Sequence, residues 1–170
     1  RDQTNHPALL PDQIGEFLKK LDDRTQMNEQ TRIAMLLMVL TACRKAEIIG
    51  GKWEEIDLKS GEWEIPEERM KPGHPHWVPL SAQAIGLLRD LRKLTPANQK
   101  LLFPNRRDPR RPMANRSLNA VMERLGFSED GTPHGMRSAF STHFNEEHAG
   151  GDDKSKAGKE AVEYCLSHMP

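Results

Sequence analysis

Four basic features of the sequence belong to residue types that bind or protonate an anionic group. Arg44 lies in the segment TACRKAE, and Lys71 lies in the polar segment ERMKPGHPH. His134 and Arg137 form an HxxR pair, and His168 follows in CLSH. Guanidinium and imidazole N–H groups donate to carboxylate and phosphate oxygens. The HxxR pair also opens a predicted helix, where a phosphate would be well placed, so these residues are candidates for an anion site.

Each of these residues also has a purely structural interpretation. Arg44 lies between two predicted helices with Glu47 three residues later, a spacing at which the two side chains can form an ion pair. Lys71 can be a solvated loop lysine, and His168 can be a surface histidine. The HxxR spacing places both side chains on one helical face, yet a lone HxxR pair is a weak signal. The residues alone leave both interpretations open.

Most of the elements that would position these residues are predicted helices. In most of the predicted helices apolar residues recur at helical spacing, and in one the residues are nearly all apolar. Capping residues and glycines bound these stretches. Asp12 is the predicted N-cap of the first helix, Arg44 ends the buried second helix, and Ser81 precedes the fourth as its N-cap. The predicted helices cover residues 12–21, 31–40, 45–49, 83–94, 113–127, 134–147 and 160–168.

The middle of the chain is predicted to form a small antiparallel sheet. A first strand begins around Trp53, and the segments EWEIP and WVPL alternate as two further strands. Trp77 is then expected in the core of this sheet, whereas His74 and His76 are expected to be solvated in the hairpin that carries Lys71. The predicted fold class is mixed, mainly α-helical with a small three-stranded antiparallel sheet.

Composition sets broad limits on the class of protein. Lysine and arginine total 25, as do aspartate and glutamate, so the formal net charge is zero. This balance is mild evidence against a dedicated nucleic-acid binder, but one basic face is compatible with it. The densest basic run lies in the predicted loop LLFPNRRDPRRP and consists of Arg106, Arg107, Arg110 and Arg111.

The cysteines and the apolar segments indicate an environment inside the cell. Cys43 and Cys165 have no metal-binding spacing and are expected to be buried thiols in a reducing cytoplasm. No apolar run reaches membrane-spanning length, and no secretory signal is recognisable.

Taken together, and in this order, the basic features resemble the tyrosine recombinase, or phage integrase, family. That family's pattern is TxxRxxE, a hairpin lysine, HxxR opening a helix and a late histidine. It is matched by TACRKAE, ERMKPGHPHWVPL, TPHGMRSAFSTHF and EYCLSHM. The segments WEEIDL and EWEIP resemble the family's three-stranded sheet, and LFPNRRDPRRPM resembles the branch of prophage and genomic-island integrases. The resemblance covers essentially the whole chain.

The resemblance implies a site-specific DNA recombinase of the bacterial cytoplasm. In that family a tyrosine attacks the scissile phosphate, which leaves a 3′-phosphotyrosyl link and a free 5′-hydroxyl. The link stores the bond energy, so religation needs no ATP. The implied partners are double-stranded attachment sites and further copies of the protein, as a homotetramer on DNA. The resemblance implies no metal or other cofactor, because basic side chains neutralise the phosphate.

The resemblance also assigns a role to each basic residue. Arg44 and Arg137 would bind the non-bridging phosphate oxygens, where negative charge accumulates in the transition state. Lys71 would protonate the leaving 5′-oxygen. His134 would act as an acid or base or orient the phosphate, and His168 would donate a further hydrogen bond to it.

Residues around this set would have supporting roles. Glu47 would hold a basic side chain in place. The four arginines of the basic loop would contact the DNA backbone, because such contacts require only positive charge, or would simply be solvated. The hairpin histidines His74 and His76 could likewise touch DNA.

The expected nucleophile is not identified among the 170 residues. The family places its tyrosine shortly after the last histidine, whereas Tyr164 precedes His168 and is interpreted as a helix-packing residue. We therefore expect residues 1–11 to be a linker from a preceding core-binding domain, and residues 12–170 to be a catalytic domain truncated before its tyrosine. The glycine- and charge-rich segment 149–159 is expected to be a surface insertion.

Other classes of protein remain open at this point. A degenerate, non-catalytic DNA-binding regulator on the same fold would not need the full set of acid and base residues. A helical protein-interaction module would show neither DNA affinity nor clustering of the five basic residues in space. Type IB topoisomerases share the catalytic logic, but the flanking segments favour an integrase.

Overall fold

Helix α2 lies at the centre of the structure. The computed structural model describes residues 11–70, 74–128 and 135, in which α2 is Glu29–Thr41. Most of its side chains are buried, and three other helices pack against it. Its first turn is capped by Asn28, whose side chain accepts a hydrogen bond from the Thr31 backbone N–H at 2.9 Å. The predicted buried helix over 31–40 is confirmed within slightly wider bounds.

Helices α1 and α3 flank α2 along the chain. Helix α1 is Pro11–Asp22 and begins before the predicted N-cap, so Asp12 lies inside the helix and does not cap it. Proline suits a first helical turn because it has no N–H to satisfy. Helix α3 is Lys45–Ile49, as predicted. Arg44 does not end α2, because Ala42 has already turned the chain with a φ of 51°, and Arg44 is instead the N-cap of α3.

Three short strands form an antiparallel sheet in the order β1-β2-β3. Strand β1 is Ile56–Asp57, β2 is Glu62–Ile65 and β3 is His76–Pro79. The first strand does not include Trp53, because residues Trp53–Glu55 form a 3₁₀ turn before it. A second 3₁₀ turn, Glu67–Arg69, follows β2.

The register of the sheet reverses the prediction for Trp77. Glu64 pairs with Trp77 and Ile65 pairs with His76. Because side chains alternate across a strand, His76 is buried on the same side as Ile65, whereas Trp77 is 42% exposed. The expectations of a core Trp77 and a solvated His76 are therefore both wrong. His74 is exposed, as expected.

Helices α4 and α5 complete the described structure. Helix α4 is Ala82–Leu94 and α5 is Arg116–Leu125. Ser81 caps α4 by accepting a hydrogen bond from the Ala84 N–H, as predicted. Gly126 ends α5 with a φ of 82°, a conformation that suits glycine. Residues 101–112 form the predicted loop between these helices.

The core joins these helices to the inner face of the sheet. Its fully buried side chains include Phe17, Leu37, Trp63, Leu88 and Phe103. The fold class predicted from the sequence is thus confirmed: mainly helical with a small three-stranded antiparallel sheet. No helix within the described part of the chain is long and apolar enough to cross a membrane.

Several predictions lie outside the described residues. They concern residues 1–10 of the linker predicted over 1–11, whose last residue, Pro11, instead begins α1, and the helix over 134–147 apart from Gly135. They also concern the segment 149–159, the helix over 160–168 and Cys165. Gly135 is helical and buried, which agrees with the helix predicted around it. Cys43 is buried, as predicted.

Candidate active site

Arg44 and Glu47 form a closed ion pair at the start of α3. One carboxylate oxygen of Glu47 accepts a hydrogen bond from the backbone N–H of Arg44 at 2.6 Å, and the other accepts one from Arg44 Nη1 at 2.7 Å. The Glu47 side chain is 4% exposed and that of Arg44 is 27% exposed. The carboxylate therefore fixes both the backbone and the side chain of Arg44.

This arrangement is compatible with both interpretations of Arg44. The ion pair is the predicted structural contact, between the N-cap of α3 and the residue three positions later. A guanidinium, however, carries five N–H donors, and the pair with Glu47 engages one of them in a side chain that remains partly exposed. Arg44 can thus be held from the inside while it offers further donors to an anion from the outside.

A buried polar cluster around Glu55 and Arg69, which was not predicted from the sequence, contacts α3. Glu55 is buried and accepts hydrogen bonds from Trp63 Nε1 at 3.0 Å, from the Lys52 backbone N–H at 3.2 Å and from Arg69 Nη1. Arg69 also donates from Nη2 to the backbone carbonyl of Glu47 at 2.5 Å. No sequence signal identifies this cluster, because no spacing rule links residues 55 and 69.

The four arginines of the basic loop are exposed but differ in their partners. Arg110 and Arg111 lie 3.0 and 3.5 Å from Asp108. The hydrogen bond from the Arg110 side chain holds the pKa of the Asp108 carboxyl below its usual value. Arg106 and Arg107 form no ion pair with any residue that the structure describes, and they line a surface cleft of about 320 Å³ beside the start of α2.

Of the predicted site residues, the structure describes Arg44 and Glu47 and places them in contact. The other predicted site residues lie outside the described ranges and are Lys71, His134, Arg137 and His168, together with Tyr164. Arg69 and buried Met70 are described, and they immediately precede Lys71. The convergence of the five basic residues therefore remains a prediction.

Comparison with known proteins points to one family. The model of the phage integrase family matches residues 7–155. The chain is 35% identical over 143 residues to prophage integrase IntA of Escherichia coli K12, which covers 84% of this chain and 34% of that protein. It is 30% identical over 178 residues to the integrase of Enterobacteria phage P4, which covers 96% of this chain and 38% of the relative. The chain thus spans well under half the length of these relatives.

Solved structures share the fold at low sequence identity. The catalytic core of lambda integrase superposes with a TM-score of 0.68 at 19% identity, covering 96% of this chain and 92% of that one. XerA recombinase superposes with a TM-score of 0.69 at 15% identity, covering 100% of this chain and 58% of that one. From the family model, these relatives and the shared fold, it follows that the chain belongs to the phage integrase family.

Proposed function

We propose that this chain is the catalytic domain of a site-specific DNA recombinase that cleaves and rejoins strands through a 3′-phosphotyrosyl intermediate. The observation that carries the proposal is the geometry of Arg44. The buried Glu47 carboxylate holds its backbone and its guanidinium, which is partly exposed at the start of a helix. Relatives named as prophage integrases, and integrase neighbours whose structures contain DNA, support the same reaction and substrate.

The proposed chemistry neutralises a phosphate with basic side chains. Arg44 and Arg137 bind its non-bridging oxygens, and guanidinium donors stabilise the charge that develops as the tyrosine oxygen attacks phosphorus. Lys71 donates a proton to the 5′-oxygen as its bond to phosphorus breaks. His134 acts as an acid or base or orients the phosphate, and His168 donates a further hydrogen bond. Glu47 keeps Arg44 in place.

The proposed context is a longer protein on DNA. Residues 1–11 would connect to a preceding core-binding domain, and residues 12–170 would belong to the catalytic domain. The nucleophile would be a tyrosine that follows His168 in the full-length protein, with Tyr164 left in a packing role. The partners would be double-stranded attachment sites in the bacterial cytoplasm, on which four copies assemble.

The test is to separate cleavage from binding in the full-length protein. Arg44→Ala and Arg137→Ala are each expected to lower the rate of strand cleavage by about a hundredfold or more, because each removes a donor aimed at the transition-state charge. DNA affinity, measured by gel shift, should change far less. Arg89→Ala, which removes an exposed arginine of α4, is the matched control and should cleave normally.

Two results would count against the proposal. Unchanged cleavage in both active-site variants would contradict the assignment of the site. DNA binding without any cleavage by the full-length wild-type protein would instead identify a degenerate, non-catalytic regulator.

A further inference from the structure

The side chain of Arg69 bridges two parts of the structure that are distant in sequence. Arg69 ends the 3₁₀ turn after β2, and its guanidinium contacts both the buried Glu55 carboxylate and the backbone carbonyl of Glu47 in α3. Only 17% of the Arg69 side chain is exposed. A planar guanidinium can span two acceptors in fixed directions, which a lysine ammonium at the same place cannot reproduce.

The first anchor of this bridge is rigid. Glu55 is held from two other directions, by Trp63 Nε1 in β2 and by the Lys52 backbone N–H before β1. A buried carboxylate with several donors has one well-defined position, because losing any partner leaves charge or polar atoms uncompensated. The Glu55 carboxylate therefore sets where the Arg69 guanidinium lies.

The second anchor is the backbone carbonyl of Glu47, the middle residue of α3. This helix has five residues, so its last carbonyls have few partners within the helix. Arg69 donates to the Glu47 carbonyl at 2.5 Å and brings a positive charge to the helix C-terminus, where cations are favoured. Gly50 leaves space for this contact, because a Cβ at that position would lie 3.2 Å from Arg69 Nη2.

Glu47 connects Arg69 to Arg44 through hydrogen bonds at two different groups. Its carbonyl oxygen accepts from Arg69, while its carboxylate accepts from the backbone N–H and from Nη1 of Arg44. Helix α3 is little more than a single turn, so the contact with Arg69 and the ion pair with Arg44 belong to one small unit. A shift of that unit would move the Arg44 guanidinium.

We infer that Arg69 is a positioning residue that sets the orientation of Arg44 toward the scissile phosphate through α3 and Glu47. The inference rests on the proposed function, since it assigns Arg69 a task in the same reaction. Arg69 does not touch the phosphate in this account. Its loss should impair the stabilisation of phosphate charge that Arg44 provides.

This predicts a dependence on the charge of the scissile phosphate. In the full-length protein, Arg69→Met should slow cleavage of ordinary phosphodiester DNA by about tenfold or more. A methylphosphonate at the scissile position replaces one charged non-bridging oxygen with a methyl group and so reduces the demand for Arg44. On that DNA the deficit of Arg69→Met relative to wild type should shrink to within about threefold. Arg44→Ala should show the same pattern.

Two further variants separate positioning from simple loss of folding. Arg69→Lys keeps a positive charge beside Glu55 but cannot span both acceptors, so it should remain folded in urea titrations and still show the substrate-dependent deficit. Arg124→Met is the matched control, because Arg124 also donates to a distant backbone carbonyl, that of Gln26 at 2.5 Å. It should cleave both DNAs as the wild type does.

The outcomes distinguish this inference from the proposed function. Equal deficits of the Arg69 variants on both DNAs would overturn it, because a smaller folded fraction lowers both rates alike. Normal cleavage of phosphodiester DNA by Arg69→Lys, or the same substrate dependence in Arg124→Met, would overturn it too. Cleavage of neither DNA by the wild type would contradict the proposed function itself, whereas wild-type cleavage with a failed Arg69 pattern would leave that function standing.

Discussion

Glu47 shows how one side chain can connect packing to chemistry. It is buried, and its carboxylate accepts hydrogen bonds from the backbone N–H and from the side chain of Arg44. Its backbone carbonyl oxygen accepts a hydrogen bond from Arg69. A carboxylate that is buried in this way must be paired, and here the partner is the arginine that we propose binds phosphate. Under this proposal the ion pair belongs to the site, and the structural and functional interpretations of Arg44 are compatible.

A second ion pair, between Glu29 and Arg32, predicts how stability depends on pH. Hydrogen bonds from the Arg32 side chain hold the pKa of Glu29 below its usual value of 4.5. A carboxylate whose pKa is lower in the folded than in the unfolded state stabilises the fold at pH values above its pKa in the unfolded state. This stabilisation is lost as the pH falls from about 4.5 through the lower pKa that Glu29 has in the folded state.

Glu29→Gln should therefore be less stable than the wild type at pH 7, by up to about 1 kcal/mol, and this difference should shrink as the pH falls below about 4.5. Urea unfolding at several pH values measures it. Gln30→Ala, at the neighbouring position, removes no titratable group and should differ from the wild type by the same amount at every pH. A constant difference for Glu29→Gln would contradict the account.

At the scale of elements, regular spacing made most of the fold predictable. The largely apolar segment 31–40 and the capping serine before α4 predicted α2 and α4, and alternation predicted the three-stranded sheet. The orientation of Trp77 was mispredicted because hydrophobicity alone places it inside, whereas alternation with buried Val78 and pairing with β2 turn His76 inward. The Glu55–Arg69 contact joins two irregular 3₁₀ turns, for which no sequence period exists.

The turn after α3 depends on a close approach that only glycine permits. A Cβ at Gly51 would lie 2.6 Å from Leu102 Cδ1 and 3.0 Å from Trp63 Cζ2, and both of those side chains are fully buried. Gly51→Ala should therefore destabilise the protein by about 1–3 kcal/mol through overpacking.

Gly86→Ala is the matched control for this change. Gly86 lies inside α4, and a Cβ there would meet nothing within 4 Å. Because alanine is the better helix former, the control should stabilise by roughly 0.5–1 kcal/mol. Urea unfolding measures both variants, and shifts of the same sign would contradict the packing argument.

At the scale of the whole molecule, a net charge of zero conceals an uneven distribution of arginines. In the basic loop, Arg110 and Arg111 are paired with Asp108, whereas Arg106 and Arg107 make no ion pair with a described residue. Phosphate contacts require uncompensated positive charge that displaces counterions from DNA. The structure thus distinguishes two arginines paired with Asp108 from two that have no ion-pair partner among the described residues, although all four were equivalent in the sequence.

Arg107→Ala and Arg106→Ala should weaken DNA binding by the full-length protein similarly across DNA sequences. Each lost phosphate contact should reduce the slope of log affinity against log salt concentration by about 0.9. Arg110→Ala, the matched control, should have a smaller effect because Asp108 already compensates its charge. Equal effects at all three positions, at several salt concentrations, would show that the pairing with Asp108 does not matter for binding.

The most direct test of the central claim is covalent trapping of the full-length protein on an attachment-site duplex. A nick just beyond the cleavage position lets the short 5′-hydroxyl fragment diffuse away, so religation cannot remove the intermediate. The account predicts a protein–DNA adduct whose 3′-phosphate is joined to a tyrosine after His168, as identified by mass spectrometry of the linked peptide. No adduct, or a link through the 5′-phosphate or through a different residue type, would contradict it.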